Sequence, residues 1–214
     1  MKYINNNFFI EGKNLKDLTK KFGTPLYCYS YKHLKENVKK FKKVFKQISP
    51  LICFSVKSNS NISLLREMSK MGLGADVVSK GELYASLKAG IKRNKIVFSG
   101  VGKTNDEINY AIKKKIFLIN SESLSEVIAI EKAAKRLNKV VNIGLRLNPD
   151  TDAKTLKQIS TGKSGNKFGV DKKTFIKIIN LMKDSKFIKI KCLSVHIGSQ
   201  ILNHKPYEKM LNVL

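Results

Sequence analysis

From residue 51 onward the chain repeats one unit: an apolar run, a few polar residues, an amphipathic stretch, then a Gly or Asn stop. That alternation constrains the fold most, because strands separated by helices run parallel, joined by right-handed crossovers. The runs "LICFSVK", "GADVVS", "KIVFS", "IFLIN", "VVNIGLRLN" and "IKCLSVHI" read as six strands. Helices are expected over roughly 61–71, up to Gly90, over 104–115, 122–137 and 171–185, with a long polar loop at 148–170. A basic helix over roughly 31–47 and a short run "TPLYCYS" at 24–30 precede the series, and "PYEKMLNVL" begins a further helix.

The helix assignments rest on local chemistry. Ser79-x-x-Glu82, Thr104-x-x-Glu107 and Ser123-x-x-Glu126 have the spacing of capping boxes, in which hydroxyl and carboxylate satisfy orphan amides reciprocally. Phe175, Ile178, Ile179 and Met182 form one apolar stripe at helical spacing. Gly72 and Gly90 stand where a left-handed stop is wanted.

A doubly wound open sheet and a (β/α)8 TIM-type barrel both fit the alternation. Polar residues at the strand ends favour the barrel. Lys57, Asp76 or Ser79, Ser99, Asn120, Arg146 and His196 each fall at or just past the C-terminal end of a strand. In a barrel those ends ring a single mouth, where barrel enzymes place their chemistry. Eight strands take about 250 residues, and six are spent by residue 197. A barrel truncated after about six strands is therefore expected, and the 214 residues read as a fragment.

The formal net charge of +26 raises the question of nucleic acid. Only Arg66, Arg93, Arg136 and Arg146 among the 42 basic residues are arginines, and lysines are spread through every expected helix. Base readers use arginine and interleaved aromatics, so solvated lysine faces are expected, with no specific nucleic acid. Non-specific polyanion binding stays open. Cys28, Cys53 and Cys192 are scattered through apolar stretches and read as buried free thiols. The first thirty residues hold no signal-like apolar segment, and no window approaches the roughly 18 apolar residues of a membrane span. A cytoplasmic location away from membranes is expected.

"SGVGKT" (99–104) sits between strand and helix like a phosphate loop, but the Walker spacing meets Val97 and the dinucleotide fingerprint meets Asn105 where each needs glycine. A tight turn before a capped helix explains it better, with Gly100 and Gly102 still able to line a pocket. Cys192 and His196 would lie roughly 13 Å apart along a strand, too far for one ion, so no metal is expected. Lys57 has two readings. It is either a side chain snorkelling from a strand end, or an amine desolvated by an apolar barrel and so made nucleophilic.

The segments "FSVKSNSN", "GADVVSKGEL", "KIVFSGVGKT", "LINSES", "LRLNPDTDAKT", "STGKSGNKFGV" and "VHIGSQI" resemble, in order and spacing, the diaminopimelate decarboxylases. That family belongs to the alanine-racemase-like, fold-type III pyridoxal-phosphate enzymes. "FGTPLYCYS" resembles the family's N-terminal segment, which implies that residues 1–30 begin a second, β-rich domain and that 31–214 are an incomplete cofactor-binding barrel. The resemblance implies pyridoxal 5'-phosphate as cofactor and meso-2,6-diaminopimelate, decarboxylated to L-lysine, as substrate. It makes Lys57 the lysine that holds the cofactor covalently, His196 the imidazole on its ring and Ser199 a hydroxyl near its phosphate. Asp76 and Arg146 become pocket-lining polar residues. A related decarboxylase of another basic amino acid, of the ornithine or arginine type, and an inactive remnant are the alternatives. The family's glycine-rich loop, the acidic partner of the pyridine nitrogen and a partner-crossing cysteine loop would all lie beyond residue 214. A homodimer is expected of the complete protein, and weak cofactor binding, aggregation and little activity of these 214 residues alone.

Overall fold

The computed structural model describes residues 2–152 and 168–214. By its internal contacts the chain divides into two units, residues 1–50 and 51–214. The expected motifs "LRLNPDTDAKT" and "STGKSGNKFGV" fall partly on 153–167, outside the described residues.

The first unit opens with a three-stranded antiparallel sheet, β1 (Lys2–Ile4), β2 (Asn7–Ile10) and β3 (Lys13–Asn14). Both of its turns are two residues long. Asn5 and Asn6 take φ of 45° and 58°, and Glu11 and Gly12 take 50° and 79°, the left-handed pairs that match strand twist in a tight hairpin. Helix α1 (Leu15–Phe22) follows at once, its first turn capped by the Asn14 side chain. Helix α2 (Tyr31–Val44) starts at Ser30, whose hydroxyl accepts from His33 N–H. The Glu11 carboxylate anchors that start, accepting from Ser30 Oγ at 2.7 Å and Lys32 N–H at 2.6 Å. Those bonds, the Ser30 hydroxyl foremost, hold Glu11 below the usual carboxylate range.

The second unit is the β/α series. Its strands are β4 (Cys53–Ser55), β5 (Gly74–Val77), β6 (Ile96–Phe98), β7 (Leu118–Ser121), β8 (Val141–Arg146) and β9 (Ile188–Ser194). All neighbours pair in parallel, in the order β4-β5-β6-β7-β8-β9. This order decides between the two candidate folds. A doubly wound sheet reverses direction at a switch point, whereas a (β/α) barrel adds each strand beside the last. No reversal occurs among these six, and the sheet is of the barrel type.

The crossovers are α3 (Ile62–Lys70), α4 (Lys80–Lys88), α5 (Asn105–Lys114), α6 (Leu124–Arg136) and α7 (Lys172–Met182), with α8 (Lys205–Leu211) after β9. Strand residues such as Ala75, Val77, Ile96, Phe98, Ile119, Ile143 and Leu145 pack with Leu65, Leu83, Ile108, Val127, Ile130 and Ile178 from the helices into one core. Gly72 and Gly90 end their helices at φ of 79° and 88°, as expected.

Several local expectations need correction. Of the three expected capping boxes, only that of Thr104 and Glu107 is reciprocal. Ser79 and Ser123 cap through their hydroxyls, but Glu82 turns to Val78 N–H and Glu126 to Glu122 N–H, one residue before the cap. The α7 stripe buries Ile178 and Met182 and half-buries Phe175, while Ile179 is exposed. The cysteines are free but half-buried rather than buried. Desolvation, with Asp76 nearby, pushes the Cys53 thiol up to about 11.

Candidate active site

A parallel β/α sheet brings its strand C-termini to one edge, and a cavity of about 820 Å³ lies there. Lys57, Asp76, Ser99, Asn120, Arg146, His196 and Ser199 all line it, as do Gly100 and Gly102 of the "SGVGKT" loop. Of the strand-end alternatives Asp76 and Ser79, Asp76 lines the cavity and Ser79 caps α4 instead.

Lys57 stands there differently from the expectation. The strand ends at Ser55, and Val56–Ser58 form a 3-10 turn closed by Asn59 N–H to Val56 O and by Ser58 Oγ to Ser55 O at 2.7 Å. Val56 is fully buried, so the turn throws the next side chain outward and Lys57 is exposed at the rim.

Asp76 is half-buried near the end of β5. Its Oδ1 accepts from Ser99 Oγ at 2.6 Å, and Ser99 in turn accepts from Asn120 Nδ2 at 3.1 Å. Three adjacent strands are joined by that polar chain. Burial raises the Asp76 pKa, against the Ser99 hydrogen bond and the charges of Lys57, Lys103 and Arg146. Asn120 Oδ1 is buried without a protein partner. It occupies room that exists because residue 144 is glycine, since a β-carbon there would run into that oxygen.

Arg146 closes β8 and is only 11% exposed. It donates from Nη1 to Glu122 Oε2 at 3.1 Å and from Nη2 to the His196 carbonyl at 3.4 Å, with its guanidinium 5.0 Å from the centre of the Phe168 ring. His196 lies two residues past β9, not on the strand, and much of its surface is open. Enough protein still surrounds the ring for desolvation to lower its pKa below 6.5. The charges of Arg146 and Lys57 act in the same sense, against Glu122. Neutral imidazole is thereby favoured.

Two buried residues here went unnoticed in the sequence. Lys103, 1% exposed, donates to Gly100 O at 2.6 Å, Asn120 O at 2.7 Å and Glu126 Oε1 at 2.6 Å. The loop lysine that mimics a phosphate binder is in fact a structural pin, consistent with the failure of both phosphate-loop spacings. Glu122, 2% exposed, pairs with Arg146 and accepts from Gly100 N–H at 3.1 Å. The one signal that could have found it is an acidic residue directly after an apolar strand, in "LINSES".

Residues 31–214 match the family described as "Pyridoxal-dependent decarboxylase, pyridoxal binding domain". The chain belongs to this family. It is 41% identical over 209 residues to the diaminopimelate decarboxylase of Aquifex aeolicus, covering 98% of this chain and 49% of that protein. It is 43% identical over 193 residues to that of Helicobacter pylori, covering 90% and 48%. The crystal structure of the Helicobacter pylori enzyme complexed with L-lysine superposes with a TM-score of 0.89 at 41% identity, over 92% of this chain and 50% of that one. The chain spans about half the length of the curated relatives it matches.

The cavity fits the cofactor of a pyridoxal-binding domain. Its volume lies in the range of small-molecule sites, about 300–1,000 Å³. Its lining offers one exposed amine, a half-buried carboxylate, an imidazole of lowered pKa, and a buried amide oxygen that lacks a protein donor.

Proposed function

We propose that this chain is the pyridoxal-phosphate-binding part of a diaminopimelate decarboxylase, which converts meso-2,6-diaminopimelate to L-lysine and carbon dioxide in the cytoplasm. The observation that supports this most is the convergence of Lys57, Asp76, Arg146, His196 and Ser199 on one strand-end cavity, in a chain 41–43% identical to curated enzymes of that name. Residues 31–214 form the cofactor-binding barrel in this reading, and residues 1–30 belong to a second domain.

Pyridoxal phosphate, when bound, supplies an electron-withdrawing ring that accepts the electron pair left as a carboxylate departs as carbon dioxide. The chain's own residues hold and orient it. Lys57, exposed and on a turn rather than a rigid strand, would be the amine that holds the cofactor through its aldehyde. His196, kept neutral by its surroundings, suits packing against an aromatic face, where a charged imidazolium would repel an electron-poor ring. Arg146 and Ser199, both lining the cavity, would offer donors to the cofactor's anionic oxygens. Asp76, beside them, balances the cationic Lys57 and Arg146.

The test is decarboxylation of carboxyl-labelled meso-diaminopimelate by the complete purified protein, with L-lysine quantified and ornithine and arginine run in parallel. Labelled carbon dioxide and stoichiometric lysine from diaminopimelate, lost in Lys57→Ala, support the assignment. Faster release from ornithine or arginine would overturn the substrate.

A further inference from the structure

We propose that Glu122 is the positioning residue of the site: it fixes the Arg146 guanidinium and ties the loops that follow β6 and β7 to the end of β8. The inference deepens the cofactor-binding reading above and rests on it for its consequence, not for its geometry.

The geometry is a closed circuit. Glu122 uses both carboxylate oxygens, Oε2 for Arg146 Nη1 and Oε1 for Gly100 N–H. Its own N–H goes to Glu126 Oε2 at 2.9 Å. Glu126 Oε1 holds Lys103, and Lys103 returns to the Gly100 carbonyl and to the Asn120 carbonyl at the end of β7. Gly100 is therefore gripped at both its N–H and its C=O, at a φ of 100° that only glycine adopts readily. One side chain joins residues following β6 and β7 to the last residue of β8.

Stability alone does not account for this design. Replacing a buried ion pair by packed apolar groups is often neutral or stabilising, so a desolvated carboxylate is a poor choice if holding the loops were its whole task. A guanidinium beside a ligand, by contrast, needs one orientation, and a buried carboxylate with its second oxygen already committed restricts it to one. Glu122 also offsets the positive field. On the His196 ring it acts against the charges of Arg146 and Lys57.

The experiment compares wild type with Glu122→Gln and Glu122→Asp in the complete purified protein, with three readouts. Titration with pyridoxal phosphate should show affinity weakened on the order of tenfold or more in Glu122→Gln, as expected for losing a charge-assisted hydrogen bond. The His196 ring, followed by NMR in unliganded protein, should titrate at lower pH in Glu122→Gln and near the wild-type midpoint in Glu122→Asp, which keeps the charge. The Arg146 Nε–H signal should be ordered in wild type and averaged in Glu122→Gln. A folded Glu122→Gln with wild-type cofactor affinity, an unmoved His196 midpoint and an ordered Arg146 overturns the proposal. If Glu122→Gln does not fold, Glu122→Asp decides: one methylene shorter, it cannot span Gly100 and Arg146 together, and wild-type affinity there overturns the proposal. If wild type shows no saturable cofactor binding, the functional reading fails, while the His196 and Arg146 signals still decide the role of Glu122.

Discussion

Replacing Lys103 by methionine strips the mouth of its most buried cation. The Lys103 side chain is 1% exposed, and its ammonium serves one carboxylate and two carbonyls, all within 2.7 Å. Removing one partner of a buried pair costs about 3–5 kcal/mol. Glu126 is 10% exposed and keeps a bond to Glu122 N–H, so part of its charge remains solvated, and we take about 3 kcal/mol, the lower end. Proteins of this size lose about 2–4 °C of melting temperature per kcal/mol, so Lys103→Met should melt about 6–12 °C below wild type. Thermal melting by circular dichroism with urea denaturation at matched pH measures it. The double variant Lys103→Met with Glu126→Met should recover part of the loss, because the stranded carboxylate is gone while Glu122 N–H stays unsatisfied. A single-variant loss under about 1 kcal/mol, the worth of a surface pair, would refute the claim that this network is buried and structurally required.

Other consequences concern the polar chain and the imidazole. Gly144→Ala places a β-carbon against Asn120 Oδ1, with Leu118 Cδ2 3.1 Å away, and should cost about 1–3 kcal/mol as overpacking; an urea midpoint equal to wild type would contradict it. His196 has a folded pKa below its ordinary 6.5, so the unfolded chain binds its proton first as pH falls. Its contribution is therefore intact above about pH 6.5 and lost as pH drops from there through the folded value. His196→Gln should flatten that acid limb in urea midpoints measured across about pH 5 to 7.5; an unchanged limb would show that the ring is not desolvated. Asp76 acts in the opposite sense, because its raised pKa means a penalty above the folded value that is relieved on acidification. Asp76→Asn should accordingly be no less stable than wild type at neutral pH.

Much of the fold was legible because its signals are local. The glycine stops at 72 and 90, the Thr104 capping box and the six apolar runs depend on residues within a few positions of one another, and they stand where the pattern puts them. Even the N-terminal hairpins carried a readable signal, since "INNNF" and "IEGK" bracket pairs of residues that tolerate left-handed turns. The lining of the candidate site was legible at the strand ends for the same reason. What the pattern missed depends on distant partners. Glu126 has the spacing of a capping box but spends its oxygens on Glu122 N–H and on Lys103, 23 residues away. Glu122 meets Arg146 across 24 residues. Lys57 read as the end of a buried strand, yet the ladder stops at Ser55 and a turn carries the lysine to the rim. Nothing in an apolar run marks where its pairing ends.

The central claim is that Lys57 is the amine that holds the cofactor. Incubation with pyridoxal phosphate, reduction by borohydride and peptide mapping test it on one residue against all the lysines of a strongly basic chain. The account predicts saturable label at Lys57, absent in Lys57→Ala, a variant whose melting should match wild type because the side chain is exposed. Label scattered in proportion to lysine exposure, with no preference for Lys57, would contradict it.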